Sequence, residues 1–220
     1  MATTFFPYNP SHIWSASGWV VNAVLDTTLP LEVISALKKR ALAPAETLRG
    51  ARDKKTNAQG AHKLALAELN LRNKENDEAG SAIPASAGIK GGRALQDKVQ
   101  VLLGGRRMSD VTSAPHEEEI RIFWDFLGRV DADPNKFELP AERIETLRET
   151  NAAHEAAYLA ERAAYKALRA AQIEYDDAAD EFLSGYRSAV RAIVLDLGEA
   201  GATAVLPAFD VRPKKADDDE

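Results

Sequence analysis

The chain has 220 residues, 28 Lys+Arg against 34 Asp+Glu, a formal charge of −6, and 45% hydrophobic and 28% charged residues. That suits one elongated domain or two small ones and favours neither a wholly disordered chain nor a membrane protein. The absence of cysteine excludes disulfides, thiolate metal sites and a cysteine nucleophile; residues 1–10 lack the basic and apolar regions of a secretory signal, and no run of 18 apolar residues occurs, so a cytoplasmic location is expected.

In chain order, the first element is an aromatic opener, Phe5-Phe6, Tyr8, Trp14 and Trp19. It reads as a short helix that caps a longer one and fills its core, in preference to a binding surface. Leu29-Pro30-x-Glu32 then starts a helix with proline at its first turn. Ile34, Leu37, Ala41, Leu48, Ala51, Ala58, Ala65, Leu69, Ala79 and Ile83 form a small-residue seam along it. Pro44 and Thr56-Asn57-Ala58-Gln59-Gly60 predict breaks in this stretch.

Gly80 to Pro115 holds six glycines in its first 26 residues and reads as a flexible connector. Leu95, Val99, Leu102 and Leu103 within it suffice for a short packed helix or strand. Gly88-Ile-Lys-Gly-Gly-Arg93 lacks the GxxxxGK[ST] spacing of a phosphate loop and reads as linker.

A second aromatic opener follows at Phe123, Trp124 and Phe126. Sliding the chain on itself by 110 residues aligns Trp14 with Trp124, Gly18 with Gly128, Val20 with Val130 and Leu29-Pro30 with Leu139-Pro140, then Glu32, Ile34 and Leu37 with Glu142, Ile144 and Leu147. That is 8 identities in 24 positions, and an internal duplication is the reading. From Ala141 to Ser184 there is neither Gly nor Pro, and Ala152 to Ala179 holds 12 alanines, which predicts a continuous or gently kinked long helix. Its seam runs through Ile144, Asn151, Tyr158, Tyr165, Ala179, Tyr186 and Ile193, with Leu147, His154, Glu161, Leu168, Tyr175 and Phe182 alongside. Ala202 to Val211 predicts a short extended segment, and Arg212 to Glu220 predicts disorder.

The expected fold is therefore all-α: duplicated long-helix units forming an elongated antiparallel helical bundle or coiled coil. The division is 1–79 as first repeat unit, 80–118 as connector, 119–201 as second repeat unit and 202–220 as extended and disordered acidic tail. Residues 1–110 carry 15 basic against 10 acidic groups and residues 111–220 carry 13 against 24. Opposite charges favour pairing of the copies, within one chain or between chains.

Motifs for chemistry are sparse. His12, His62, His116 and His154 show no HExxH or Glu-x-x-His spacing, and none is paired in sequence. His62 and His154 fall on the seams as packed or register-setting polar residues, and Glu161 reads as a boundary acid bridged to Arg or Lys. Glu174, Asp176, Asp177, Asp180 and Glu181 read as a solvated helical face. No catalytic, cofactor-binding or metal residues are assigned, no cofactor is expected, and the chain is read as a non-enzyme. A catalytic bundle would show His154, Glu161 or Tyr158 meeting first-copy residues in a buried pocket. Lys38-Lys39-Arg40, Arg49, Arg52 and Lys54-Lys55 could line phosphates, but the acidic second half speaks against nucleic acid.

The opener Phe123-Trp124, the Leu-Pro-x-Glu start, the run Ala152 to Ala171 and the closing Arg187-Ser-Ala-Val-Arg191-Ala-Ile193 make residues 120–212 resemble a group of uncharacterised bacterial Ala-rich long-helix proteins with a Trp-containing opener. The resemblance implies a helical fold and carries no site residues. The expected role is a structural or interaction protein, an oligomerising scaffold or component of a larger assembly, with itself or another protein as partner. The alternatives are a nucleic-acid-associated helical protein and a metal-binding or catalytic bundle.

Overall fold

The computed structural model describes residues 3–7, 9–133 and 139–210, all with side chains except Thr3, residues 86–95 and Asp210. Tyr8 and the tail expected to be disordered, Arg212–Glu220, lie outside the described residues. The fold is all-α, with helices α1 (Pro10–Ala23), α2 (Leu31–Arg40), α3 (Leu42–Leu102), α4 (Met108–Thr112), α5 (His116–Ala132) and α6 (Ala141–Val205). A two-residue antiparallel pairing joins β1 (Thr3–Thr4) to β2 (Phe209–Asp210). None of these helices is long and apolar enough to cross a membrane.

Local chemistry sets most helix ends. Asn9 caps α1, its Oδ1 accepting from the His12 amide at 2.9 Å, with Pro10 at the first helical position. Pro30 precedes α2, which places Glu32 in its first turn and Lys38, Lys39 and Arg40 in its last, each complementing the helix dipole. The end of α3 is closed by Gly104 and Gly105 at φ 70° and 86°. Gly105 N–H donates to Gln100 O at 2.8 Å, the six-to-one bond of a Schellman cap.

Four expectations are corrected. Pro44 does not interrupt its helix, because it is the third residue of α3, where an amide has no intrahelical acceptor to lose. Thr56 to Gly60 stays helical, as do residues 80–102, including Gly88 to Arg93. The expected connector is thus largely the second half of α3, because Ile83, Val99 and Leu102 are buried at helical spacing and that burial outweighs the roughly 1 kcal/mol each glycine costs. Pro84 lies inside the helix. The expected extended segment, Ala202 to Val211, is helical through Val205, and among its described residues only Phe209–Asp210 form a strand. α6 breaks once, at Gly198 with φ 69° and ψ 171°.

The chain forms two compact units that cut across the expected division, since each takes part of both long helices. Unit 1 combines residues 1–58 with 168–220. Its core joins Val20, Val33 and Leu37 to Ala45, Leu48 and Ala51 of α3 and Phe182, Tyr186, Ala189 and Ile193 of α6. Trp14 is stacked by Arg52 and Arg49, at 3.7 and 5.0 Å from guanidinium carbon to ring centroid. Helices α2 and α6 approach closely at Gly185, where an added Cβ would collide with the Arg40 carbonyl. Unit 2 spans residues 59–167, and its core gathers Ile83, Val99, Leu102 and Leu103 with Phe123, Phe126, Leu127, Ile144 and Leu147. Arg129 Nη1 donates to Leu102 O at 2.6 Å, satisfying a carbonyl in the last turn of α3.

Gly185→Ala should therefore destabilise the protein by about 1–3 kcal/mol through overpacking. Gly60→Ala, with open space around its Cβ, should stabilise it by up to about 1 kcal/mol. Urea midpoints followed by circular dichroism would separate the two, and equal shifts would contradict the packing described. Tyr186 is fully buried with no partner for its hydroxyl, and burial raises its pKa above the usual phenol value. Tyr186→Phe should then match or exceed the parent stability by up to about 1 kcal/mol.

Candidate functional site

The feature of unit 2 least expected of a helical core is polar. Asn76, Glu119, Asn151 and His154 are all 0–1% exposed, although such groups are rarely buried without compensation. α5 begins after Pro115, with His116 and Glu117 to Glu119 in its first turn, where carboxylates meet the positive helix end. The spacing of three puts His116 and Glu119 on one face, and Asn151 and His154 share a face of α6 in the same way.

A small residue brings these faces together. Phe123, one turn beyond Glu119, lies against Gly80, where a Cβ would come within 2.6 Å of Phe123 Cζ. Asn76 is one turn before Gly80, so the same close approach lets its Nδ2 donate to Glu119 Oε1 at 3.0 Å. That amide also lies 3.3 Å from Asn151 Oδ1 and 3.3 Å from His154 Nδ1. Thr150 Oγ1 donates to Asn76 Oδ1 at 3.1 Å, which fixes the amide's orientation, and Asn151 Nδ2 donates to Ile120 O at 3.2 Å.

The ionisable groups here are displaced toward their neutral forms. Burial, and then the neighbouring Asp77 charge, push Glu119 up to about 7. Burial, with His116 beside it, holds His154 down at about 4. Between about pH 4 and pH 7 the 3.8 Å approach of His154 Nδ1 to Glu119 Oε1 is therefore a contact of neutral groups and not an ion pair. Asp77 is raised by burial. Among the described residues, Glu119 Oε2 and Asp77 Oδ1 are both buried with no donor of their own, an arrangement that suits a proton shared between the two carboxyl groups.

The histidines that have no partner in sequence meet in space. His116 Nδ1 lies 3.1 Å from His154 Nε2 and 3.0 Å from Asn73 Oδ1, with the two rings edge to face at 5.2 Å. One nitrogen from each histidine and one Glu119 oxygen fall within 4.8 Å of one another, which makes these three side chains, among the described residues, a group that could hold a metal ion. On the outer side, Tyr158 hydroxyl donates to Glu117 Oε2 at 3.1 Å and accepts from Arg162, and Trp124 Nε1 donates to Glu155 Oε2 at 2.9 Å.

Other candidates fall elsewhere. His62 bonds Glu161 at 2.9 Å, so this boundary acid pairs with histidine in place of the expected Arg or Lys. His12 stacks on Phe209 in unit 1 at 5.0 Å. Glu174, Asp176, Asp177, Asp180 and Glu181 are exposed, as a solvated face should be. Phe123 and Phe126 fill the core, whereas Trp124 and Trp14 are only partly buried. His154 meets the N-terminal stretch 1–79 through Asn76, and Glu161 does so through His62. The missed signal is His116-x-x-Glu119 opening a helix, the reverse order of the Glu-x-x-His spacing. No family model, curated protein or solved structure matches the chain.

With a chelator present, the two displaced groups give opposite slopes. Glu119 keeps its proton in the folded state to about 7 against a usual 4.5, so its stabilisation is full below 4.5 and lost as pH rises through 7. His154 is protonated near 6.5 when unfolded but only at about 4 when folded, so its stabilisation is full above 6.5 and lost as pH falls to 4. Between about 4.5 and 6.5 the slopes oppose. Glu119→Gln should show melting temperatures that rise with pH across that window more steeply than the parent's; parallel curves would refute the assignment.

Proposed function

We propose that the protein is a helical interaction protein, an oligomerising scaffold whose long helices hold unit 2 in a fixed register and offer its outer surface to a second copy. The observation that carries this reading is the division of apolar side chains. The inner seams close each unit with residues of both long helices, while Leu64, Leu71 and Leu159 remain 75%, 48% and 61% exposed on unit 2. Exposed leucines scattered singly are ordinary, but several on one small unit favour a covered surface. Buried asparagines are a known device for setting helix register, and Asn76 with Asn151 fits that use.

An internal duplication supports the same reading. α1 and α5 each carry a Trp followed four residues later by Gly, and each is followed by a Leu-Pro that opens the next long-helix region; the aligned Leu37 and Leu147 are both fully buried. Against nucleic acid stands the occupation of the basic residues within unit 1. Arg49 and Arg52 stack on Trp14, Lys55 on Tyr175, and Lys54 pairs with Glu174.

Multi-angle light scattering should report a defined oligomer at micromolar concentration, and Leu64→Glu with Leu159→Glu should shift it to monomer while helix content stays unchanged. A strict monomer at high concentration would end this reading.

A further inference from the structure

We propose that His116, Glu119 and His154 of unit 2 hold one divalent first-row transition-metal ion, which ties the first turn of α5 to α6. This goes beyond the assembly reading and does not depend on it.

Three independent observations converge. The first is spacing. Ligand atoms each about 2.0–2.1 Å from an ion lie about 2.9–3.4 Å apart at octahedral to tetrahedral angles, and His116 Nδ1 to His154 Nε2 is 3.1 Å. A Glu119 oxygen lies within 4.8 Å of a nitrogen on each ring. The second is hydrogen count. His116 Nδ1 approaches both His154 Nε2 and Asn73 Oδ1, and if the one hydrogen on the line between the two nitrogens is carried by His154, Asn73 Oδ1 is left facing a lone pair. A cation accepts both nitrogen lone pairs and leaves Asn73 Oδ1 as a further oxygen neighbour. The third is charge. Glu119 is buried to 1% exposure and, among the described residues, neither its Oε2 nor Asp77 Oδ1 has a donor other than a proton shared between the two carboxyl groups; a divalent ion would take that proton's place.

Two imidazoles and a carboxylate favour zinc, cobalt, nickel, iron or manganese over calcium and magnesium, which take oxygen ligands. Binding through His154 Nε2 puts that ring's proton on Nδ1, so the Asn76 Nδ2 that lies 3.3 Å from Nδ1 would have to turn away from it, and Asn76 serves as outer partner to Glu119 Oε1 alone. His116 is only half-buried, which leaves a side from which an ion can enter.

The test uses the full-length, tag-free chain, stripped with chelator and titrated with Co(II) and Zn(II). One equivalent of Co(II) should bind with visible absorption, Zn(II) should displace it, and either ion should raise the melting temperature. His116→Ala, at a half-exposed helix start, and the near-isosteric Glu119→Gln should each weaken binding by more than the roughly 10–100-fold that loss of an outer partner costs. His62→Ala should bind as the parent does. Absence of binding by the parent, or binding that survives both His116→Ala and Glu119→Gln, would overturn the proposal; the latter would assign the ion to exposed carboxylates such as Glu174 and Asp177. If Glu119→Gln fails to fold, His116→Ala decides alone.

Discussion

Helices of 61 and 65 residues depend on burial of an apolar stripe, because helix propensity alone holds so long a segment only weakly against water. In this chain the stripe is built from small residues. Ala41, Ala45 and Ala51 and Ala178, Ala179 and Ala189 are all buried in unit 1, where short side chains allow close helix approach and Leu48, Phe182 and Tyr186 fill the space between. Gly185 takes that economy to its limit against the Arg40 carbonyl. The hydrophobic effect, about 25 cal/mol per Å² of apolar surface buried, acts in the same way in unit 2, where burial of Ile83, Val99 and Leu102 lets α3 run through residues 80–102 despite their glycines.

Unit 2 departs from that scheme. Where unit 1 packs phenylalanine and tyrosine, unit 2 buries two asparagines, a glutamic acid and a histidine. Desolvating such groups is costly, and the network answers the cost by pairing nearly every donor and by keeping Glu119 protonated and His154 neutral near pH 6. Gly80 makes the pairing possible, since Phe123 can occupy the space a side chain would take and thereby set Glu119 opposite Asn76. A polar core of this kind discriminates sharply against slipped registers, because displacement of either helix would leave several buried groups unpaired. It also concentrates nitrogen and oxygen lone pairs in one place, which is why register control and ion binding are compatible uses of the same residues.

Composition and spacing alone determine that this chain is helical. The Gly- and Pro-free run after Ala141, the apolar seams and the proline-led helix starts are local properties, decided within a few turns of chain. The burial of Leu37, Leu147, Phe182 and Tyr186 also follows from periodicity, since residues three, four or seven apart share a face whatever they face. Two things were decided only by tertiary structure. The glycine-rich stretch 80–102 could not be recognised as helix, because the role of Gly80 is to be small beside Phe123, 43 positions away. Nor could the meeting of His116 with His154 be foreseen, because helical spacing tells which residues point the same way along one helix but nothing of the axial offset between two. That offset comes from packing summed over the whole of unit 2, and it alone brings the two rings within hydrogen-bonding distance.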